Sequence, residues 1–188
     1  MRYCQLPINT GHQTLESFDA YTKDLKQAHA AAREVAKPNG ELKGLTIIAK
    51  VDSGKSHLAV AICREWLKCG VPARYVFVPD LLDELRAGYQ EDGEHDFVAR
   101  MHFYRSVPML VMDDLGAEKP SEWAIEKLTT IINTRAENGL HLVVTTNKTL
   151  SNLPGDTENR IGSRLRRYPA GKVVVIGDAK EYCLRERR

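Results

Sequence analysis

Between residues 45 and 176 the chain alternates short apolar runs with longer amphipathic stretches. The apolar runs at 45–48, 73–78, 109–112, 141–145 and 172–176 are strand-sized and rich in Val, Ile and Leu. Helical periodicity covers 55–68, 80 to about 89, 94–105, 121–138 and 158–167. Cys69-Gly70 ends the first of these helices, and Pro120 and Gly139 bracket the fourth. Residues 90–93 are polar and read as a turn. Near-continuous apolar strands separated by helices predict an α/β fold, a three-layer sandwich around a mainly parallel five-stranded sheet with right-handed crossovers.

Upstream of this alternation, residues 1–12 carry little pattern and read as a lead-in arm. Residues 20–36 favour helix through Ala28, Ala30, Ala31 and Ala32, and Pro38-Asn39-Gly40 stops it. That helix reads as a packing element. The expected division is an N-terminal arm and helix over 1–40, followed by a core over 41–188.

Composition narrows the class. At 188 residues, with 43% apolar and 28% charged residues, the chain is sized for one soluble core. A net charge of +2 provides no global basic field for nucleic acid. The distribution is uneven, because Arg160, Arg164, Arg166 and Arg167 cluster late and Arg185, Arg187 and Arg188 follow. Cys4, Cys63, Cys69 and Cys183 lack C-x-x-C spacing, so reduced thiols in a cytosolic protein are expected. No signal-peptide pattern and no apolar run of membrane length is present, and the expected location is cytoplasmic, with no membrane partner.

The chemistry gathers at strand ends, where α/β sheets bind ligands. After the first strand, Ala49-Lys50-Val51-Asp52-Ser53-Gly54-Lys55-Ser56 has the order of a phosphate-binding loop, but Ala49 stands where the first Gly of G-x-x-x-x-G-K-[ST] belongs. Lys55 can reach β- and γ-phosphates, and the Ser56 hydroxyl can ligate Mg²⁺. After the third strand come Asp113 and Asp114. Asp113 is suited to hold Mg²⁺, directly or through water, and Asp114 to orient and deprotonate an attacking water. Two like charges beyond a buried strand also make more sense with a cation between them. Asn147 ends the fourth strand with an amide that can bond a γ-phosphate or water. Arg160 and Arg164 stand at i and i+4 on one helix face, available to a neighbouring subunit. Each feature alone has an ordinary reading as a helix start, a turn or a solvated face; their combination favours a nucleotide site.

In this order these residues resemble the DnaC/IstB group of AAA+ ATPases, which holds helicase loaders and transposon ATPase subunits. The matching stretches run from Gly54 to Ile62, Leu110 to Glu118, Val143 to Asn147 and Arg160 to Leu165, with Thr14-Leu15-Glu16-Ser17-Phe18 similar to a short motif ahead of the core. The resemblance implies a P-loop NTPase of the AAA+ ASCE type that uses ATP and Mg²⁺ and hydrolyses ATP. Lys55 and Ser56 would be Walker A residues, Asp113 and Asp114 the Walker B pair, and Asn147 sensor 1. Arg160 or Arg164, with Arg164 preferred, would be the trans-acting finger in a ring or spiral. The loop Ala49, Lys50, Val51, Asp52, Ser53, Gly54, Lys55, Ser56 and His57 would line the nucleotide, with Ser56 and Asp113 on the metal. The implied partners are a replicative helicase or a transposase, and single-stranded DNA. Arg86, Tyr89, Arg100 and Arg105 are candidates for the DNA, although Phe97, Met101 and Tyr104 make the same segment a plain surface helix pair.

Three departures accompany the resemblance. Ala49 and Asp52 replace glycines of the family loop, which predicts backbone strain at Ala49 and a carboxylate near the phosphates. Cys183 stands at the place of a sensor 2 arginine, with Arg185 as a substitute. Only about forty residues precede the loop strand, so the larger N-terminal partner-binding domain of typical loaders is expected to be missing. The expected function is an ATP-binding ATPase in DNA replication, a DnaC-like helicase loader. The alternatives are an IstB-like transposition subunit or a degenerate nucleotide-binding scaffold with little turnover.

Overall fold

The computed structural model describes residues 6–91, 94–179 and 182; Cys4, Cys183 and Arg185 lie outside the described residues, as does the Tyr89 side chain. Five strands form one sheet: β1 (Gly44–Ala49), β2 (Ala73–Phe77), β3 (Met109–Leu115), β4 (His141–Thr146) and β5 (Gly171–Ile176). Every pairing is parallel, and the order is β2-β3-β4-β1-β5. The helices among the described residues are α1 (Lys23–Val35), α2 (Lys55–Lys68), α3 (Val78–Glu91), α4 (Glu94–Ser106), α5 (Glu122–Glu137) and α6 (Arg160–Arg166). This is the α/β three-layer sandwich of the P-loop AAA+ ASCE type that the apolar alternation and the motifs predict.

Strand periodicity divides the interior in two. On one face Leu45, Ile47, Met109, Val111, Val143 and Val174 meet α1 and α2 through Leu25, Ala28, Ala32, Leu58, Ile62 and Trp66. On the other, Leu110, Met112, Leu142 and Val144 meet the α3–α6 layer through Leu81, Leu85, Tyr104, Leu128 and Leu165. Thr22 caps α1 by accepting from the Leu25 N–H, and Ser121 caps α5 by accepting from the Ala124 N–H. Fully buried Arg135 donates to the backbone carbonyls of Tyr104, Pro108 and His141, tying α4 to the starts of β3 and β4.

Two boundaries differ from the sequence expectation in ways that matter. Helix α3 continues through Gln90 and Glu91, where a turn is expected, because good helix formers occupy those positions and the next glycine is Gly93. Strand β3 runs on to Leu115, so Asp113 and Asp114 lie inside the strand instead of beyond it. Between Met112 and Leu115 the register with β4 slips, and Asp114 takes a left-handed φ of 61°. Two residues of β3 thus face one of β4 there, a bulge that re-aims side chains at the strand end.

The sheet order fixes the site. β4 lies between β1 and β3, with Ile48 and Leu115 both in register with Thr146. The carboxyl ends of the three strands therefore stand side by side beneath the start of α2.

Candidate functional site

The loop from β1 to α2 is held by its own groups. The Ser53 hydroxyl donates to the Lys50 carbonyl at 2.7 Å, and the Tyr182 N–H donates to the Asp52 carbonyl at 3.0 Å. Asp52 has φ of 61° and Gly54 φ of 81°. Ala49 does not share this geometry: it is the last residue of β1, paired with Ile176. The strain expected at Ala49 therefore falls at Asp52, and Asp tolerates the left-handed region better than most residues. Gly54 has a second reason to be glycine. A Cβ there would lie 3.0 Å from the Phe18 ring and 3.1 Å from the Tyr182 ring.

Helix α2 begins without a side-chain cap and without an acidic residue in its first turn. Its first N–H groups have no intrahelical partners, and they carry the positive end of the helix dipole, so the terminus suits an anion. Lys55 lies in this turn with its side chain 9% exposed and Nζ 3.5 Å from Asp114 Oδ1.

Asp113, itself 4% exposed, is the centre of the polar cluster. The Tyr75 hydroxyl donates to its Oδ2 at 2.6 Å, the Thr145 hydroxyl donates to its Oδ1 at 2.5 Å, and Ser56 Oγ donates to Oδ1 at 3.3 Å. Thr145 Oγ1 also accepts from the Asp114 N–H at 2.9 Å, which pins the bulge. Each carboxylate thus has its own compensation, Asp114 from the Lys55 ammonium and Asp113 from three hydroxyls. Burial, and then the Asp113 charge, pushes the Tyr75 hydroxyl far above its ordinary pKa, so it stays a donor. Burial also raises the Glu118 carboxyl, which accepts from the Gly116 N–H at 2.8 Å in the next turn.

Of the residues singled out in the sequence, Lys55, Ser56, Asp113 and Asp114 converge. Lys50 and Val51 sit exposed at the loop tip. Asn147 is exposed, one residue past β4; the β4 side chain that touches Asp113 is Thr145. Thr145 and Tyr75 both escaped sequence reading, although period-two alternation places them on the Asp113 face once the strand order is known. The His57 ring turns away from the strand ends, with Nε2 2.9 Å from the Thr14 carbonyl and the ring edge-on to Phe18 at 5.2 Å. Phe18 stacks on Tyr182 at 4.9 Å, so the 14–18 segment forms the underside of the loop.

The arginines lie elsewhere. Arg160 pairs with Glu122 and, at 3.5 Å, with Glu158. Arg164 donates through Nε to Asn133 Oδ1 at 2.6 Å and through Nη1 to the Arg160 carbonyl at 2.7 Å. Both are engaged with α5, α6 and the residues just before α6. Buried Asp156, another residue the sequence did not flag, caps α6 by accepting from the N–H groups of Arg160, Ile161 and Gly162. Of the basic candidates for contact with DNA, Arg86 pairs with Asp83 and covers the Trp123 ring at 4.9 Å. Arg100 bonds the Glu84 carbonyl and Asp96, and Arg105 bonds Thr134. Cys63 is buried and Cys69 exposed. Among the described residues no helix is long and apolar enough to cross a membrane.

A family model described as "IstB-like ATP binding protein" matches residues 1–156. The chain is 30% identical over 142 residues to the chromosomal replication initiator protein DnaA of Synechocystis sp., covering 74% of this chain and 31% of that protein. It is 23% identical over 154 residues to the replicative helicase loader DnaC of Escherichia coli (strain K12), covering 80% of this chain and 62% of that protein. The chain therefore spans less than two thirds of either relative. The crystal structure of the DnaC helicase loader resembles this one with a TM-score of 0.76 at 25% identity, over 91% of this chain and 100% of that chain.

Proposed function

This chain belongs to the IstB-like ATP binding protein family, among the P-loop AAA+ ATPases, and we propose that it binds and hydrolyses Mg²⁺·ATP and acts in DNA replication as a DnaC-like helicase loader. The observation that carries the nucleotide part is the convergence of Lys55, Ser56, Asp113 and Asp114 under an uncapped helix N-terminus. The buried Lys55 ammonium and the first N–H groups of α2 suit phosphate oxygens. A hydroxyl beside two carboxylates is a hard-oxygen donor set that suits Mg²⁺, which would be held by Ser56 and Asp113. When bound, that ion would neutralise charge on the transferring phosphoryl group.

The remaining work falls to side chains of this protein. Asp114 orients the attacking water and takes its proton. Its present partner is Lys55, so an incoming phosphate competes with Asp114 for that cation and releases the carboxylate. Asn147, exposed beyond β4, offers an amide to the same region. Arg164, or its neighbour Arg160, serves the adjacent subunit of a ring or spiral, leaving its bonds to α5 to do so. Likeness to DnaC and DnaA supports the replication role. The family match over residues 1–156 favours a second reading, an ATPase subunit that serves a transposase.

Phosphate release, measured against protein concentration, tests the ATPase. Asp114→Asn should abolish turnover, and Arg164→Ala or Arg160→Ala should lower it by about 10³-fold if that residue is the trans finger. An equimolar mixture of Asp114→Asn with the finger variant should regain turnover, because each supplies what the other lacks. Wild-type turnover in Asp114→Asn would sink the role of Asp114, and no phosphate release from wild type at any protein concentration would sink the ATPase reading. Stimulation by a replicative helicase and not by a transposase separates the two cellular roles.

A further inference from the structure

β2 is an edge strand, and Tyr75 stands on its α2-facing side, in register with Val111, two positions short of Asp113 on β3. Its ring packs on the core beneath α2. Its hydroxyl is the donor to Asp113 Oδ2, at 2.6 Å, while the two hydroxyls from β4 and α2 both go to Oδ1. The carboxylate is therefore gripped from opposite sides. Thr145 and Ser56 alone hold one oxygen and leave the group free to pivot about it. Adding Tyr75 on the second oxygen fixes the plane. The outer hydrogen-bond partners of a ligating carboxylate set its orientation and basicity.

We infer that Tyr75 is a positioning residue for the metal-holding carboxylate, fixing the plane of Asp113 toward Ser56 through its hydroxyl. This rests on the reading of Ser56 and Asp113 as the Mg²⁺ site. The role belongs to the hydroxyl and not to the ring: Phe at this position keeps the core contact and releases Oδ2. A merely structural tyrosine would alter stability without altering the response to metal.

The test is a Mg²⁺ titration of fluorescent-ATP binding for wild type, Tyr75→Phe, Asp113→Asn and the double variant, with affinity in EDTA measured alongside. Tyr75→Phe should raise the Mg²⁺ concentration for half-maximal binding about tenfold, within the range seen for outer partners of metal ligands, and leave affinity in EDTA unchanged. In the Asp113→Asn background the same change should add nothing, because the carboxylate through which it acts is gone. A shift of less than about twofold in Tyr75→Phe while Asp113→Asn shifts strongly overturns the role of Tyr75 alone. So does an equal loss of affinity with and without Mg²⁺. If Asp113→Asn leaves the Mg²⁺ response of wild type intact, the metal-site reading falls, and the role of Tyr75 falls with it.

Discussion

Replacing Thr145 by Val removes one hydroxyl from the carboxyl end of β4 and strands two groups at once. Thr145 is fully buried; its Oγ1 donates to Asp113 Oδ1 and accepts from the Asp114 N–H. A buried neutral donor left unsatisfied costs about 1–3 kcal/mol, and a carboxylate that loses a donor costs more. Asp113 keeps Tyr75 and Ser56, which limits its share. The expected loss is about 3 kcal/mol, or roughly 6–12 °C in midpoint for a chain of this size. Thr146 supplies the control. It is equally buried, but its hydroxyl donates to the neutral Leu115 carbonyl and accepts from the Lys148 N–H. Thr146→Val should cost about 1–2 kcal/mol. Urea denaturation of both variants, without nucleotide, decides the matter. Equal losses, or a loss below about 1 kcal/mol in Thr145→Val, would refute the view that this hydroxyl holds the charged strand end.

His141 sets an acid limit on stability. Burial, followed by the Lys43 and Arg135 charges, lowers its imidazole from 6.5 to about 4. The unfolded chain therefore takes up a proton that the folded chain resists. Stability present above pH 6.5 falls as pH drops toward 4, by about 1–2 kcal/mol at pH 5. His141→Phe keeps an aromatic edge against Trp66 and should flatten that loss; identical wild-type and variant slopes in urea midpoint between pH 7.5 and about 5 would contradict it. Gly162→Ala tests the α6 entry, because a Cβ there would stand 1.7 Å from the Leu150 carbonyl oxygen. Backbone must shift, so a loss of about 3 kcal/mol is expected in urea denaturation, and an unchanged midpoint would mean the loop yields freely.

The parts legible in the sequence are those written locally. Apolar runs of four to six residues and 3.6-residue periodicity specify strands and helices without knowledge of their neighbours, and the Gly54-Lys55-Ser56 and Asp113-Asp114 motifs mark two strand ends. What escaped depends on which strands lie side by side. Tyr75 and Thr145 look like ordinary strand residues until β2 and β4 are placed on either side of β3. Asn147 is the terminal polar residue of its run, and the bulge at Asp114 brings Asp113 to the level of Thr145, which the run alone does not mark. The spacing of the glycine motif predicts loop strain at Ala49, whereas the chain makes its left-handed turn three residues later, at Asp52. The expected cation between the two acids is in part already there, since Lys55 lies against Asp114.

The most direct test of the nucleotide site is equilibrium ATP binding, with Mg²⁺ and in EDTA, for wild type and Lys55→Ala. Wild type should bind more tightly with Mg²⁺, and Lys55→Ala should lose about 10- to 100-fold in affinity, the worth of a charge-assisted bond to phosphate. Wild-type affinity in Lys55→Ala, or a wild type indifferent to Mg²⁺, would contradict the assignment of the β1–α2 loop as the ATP site.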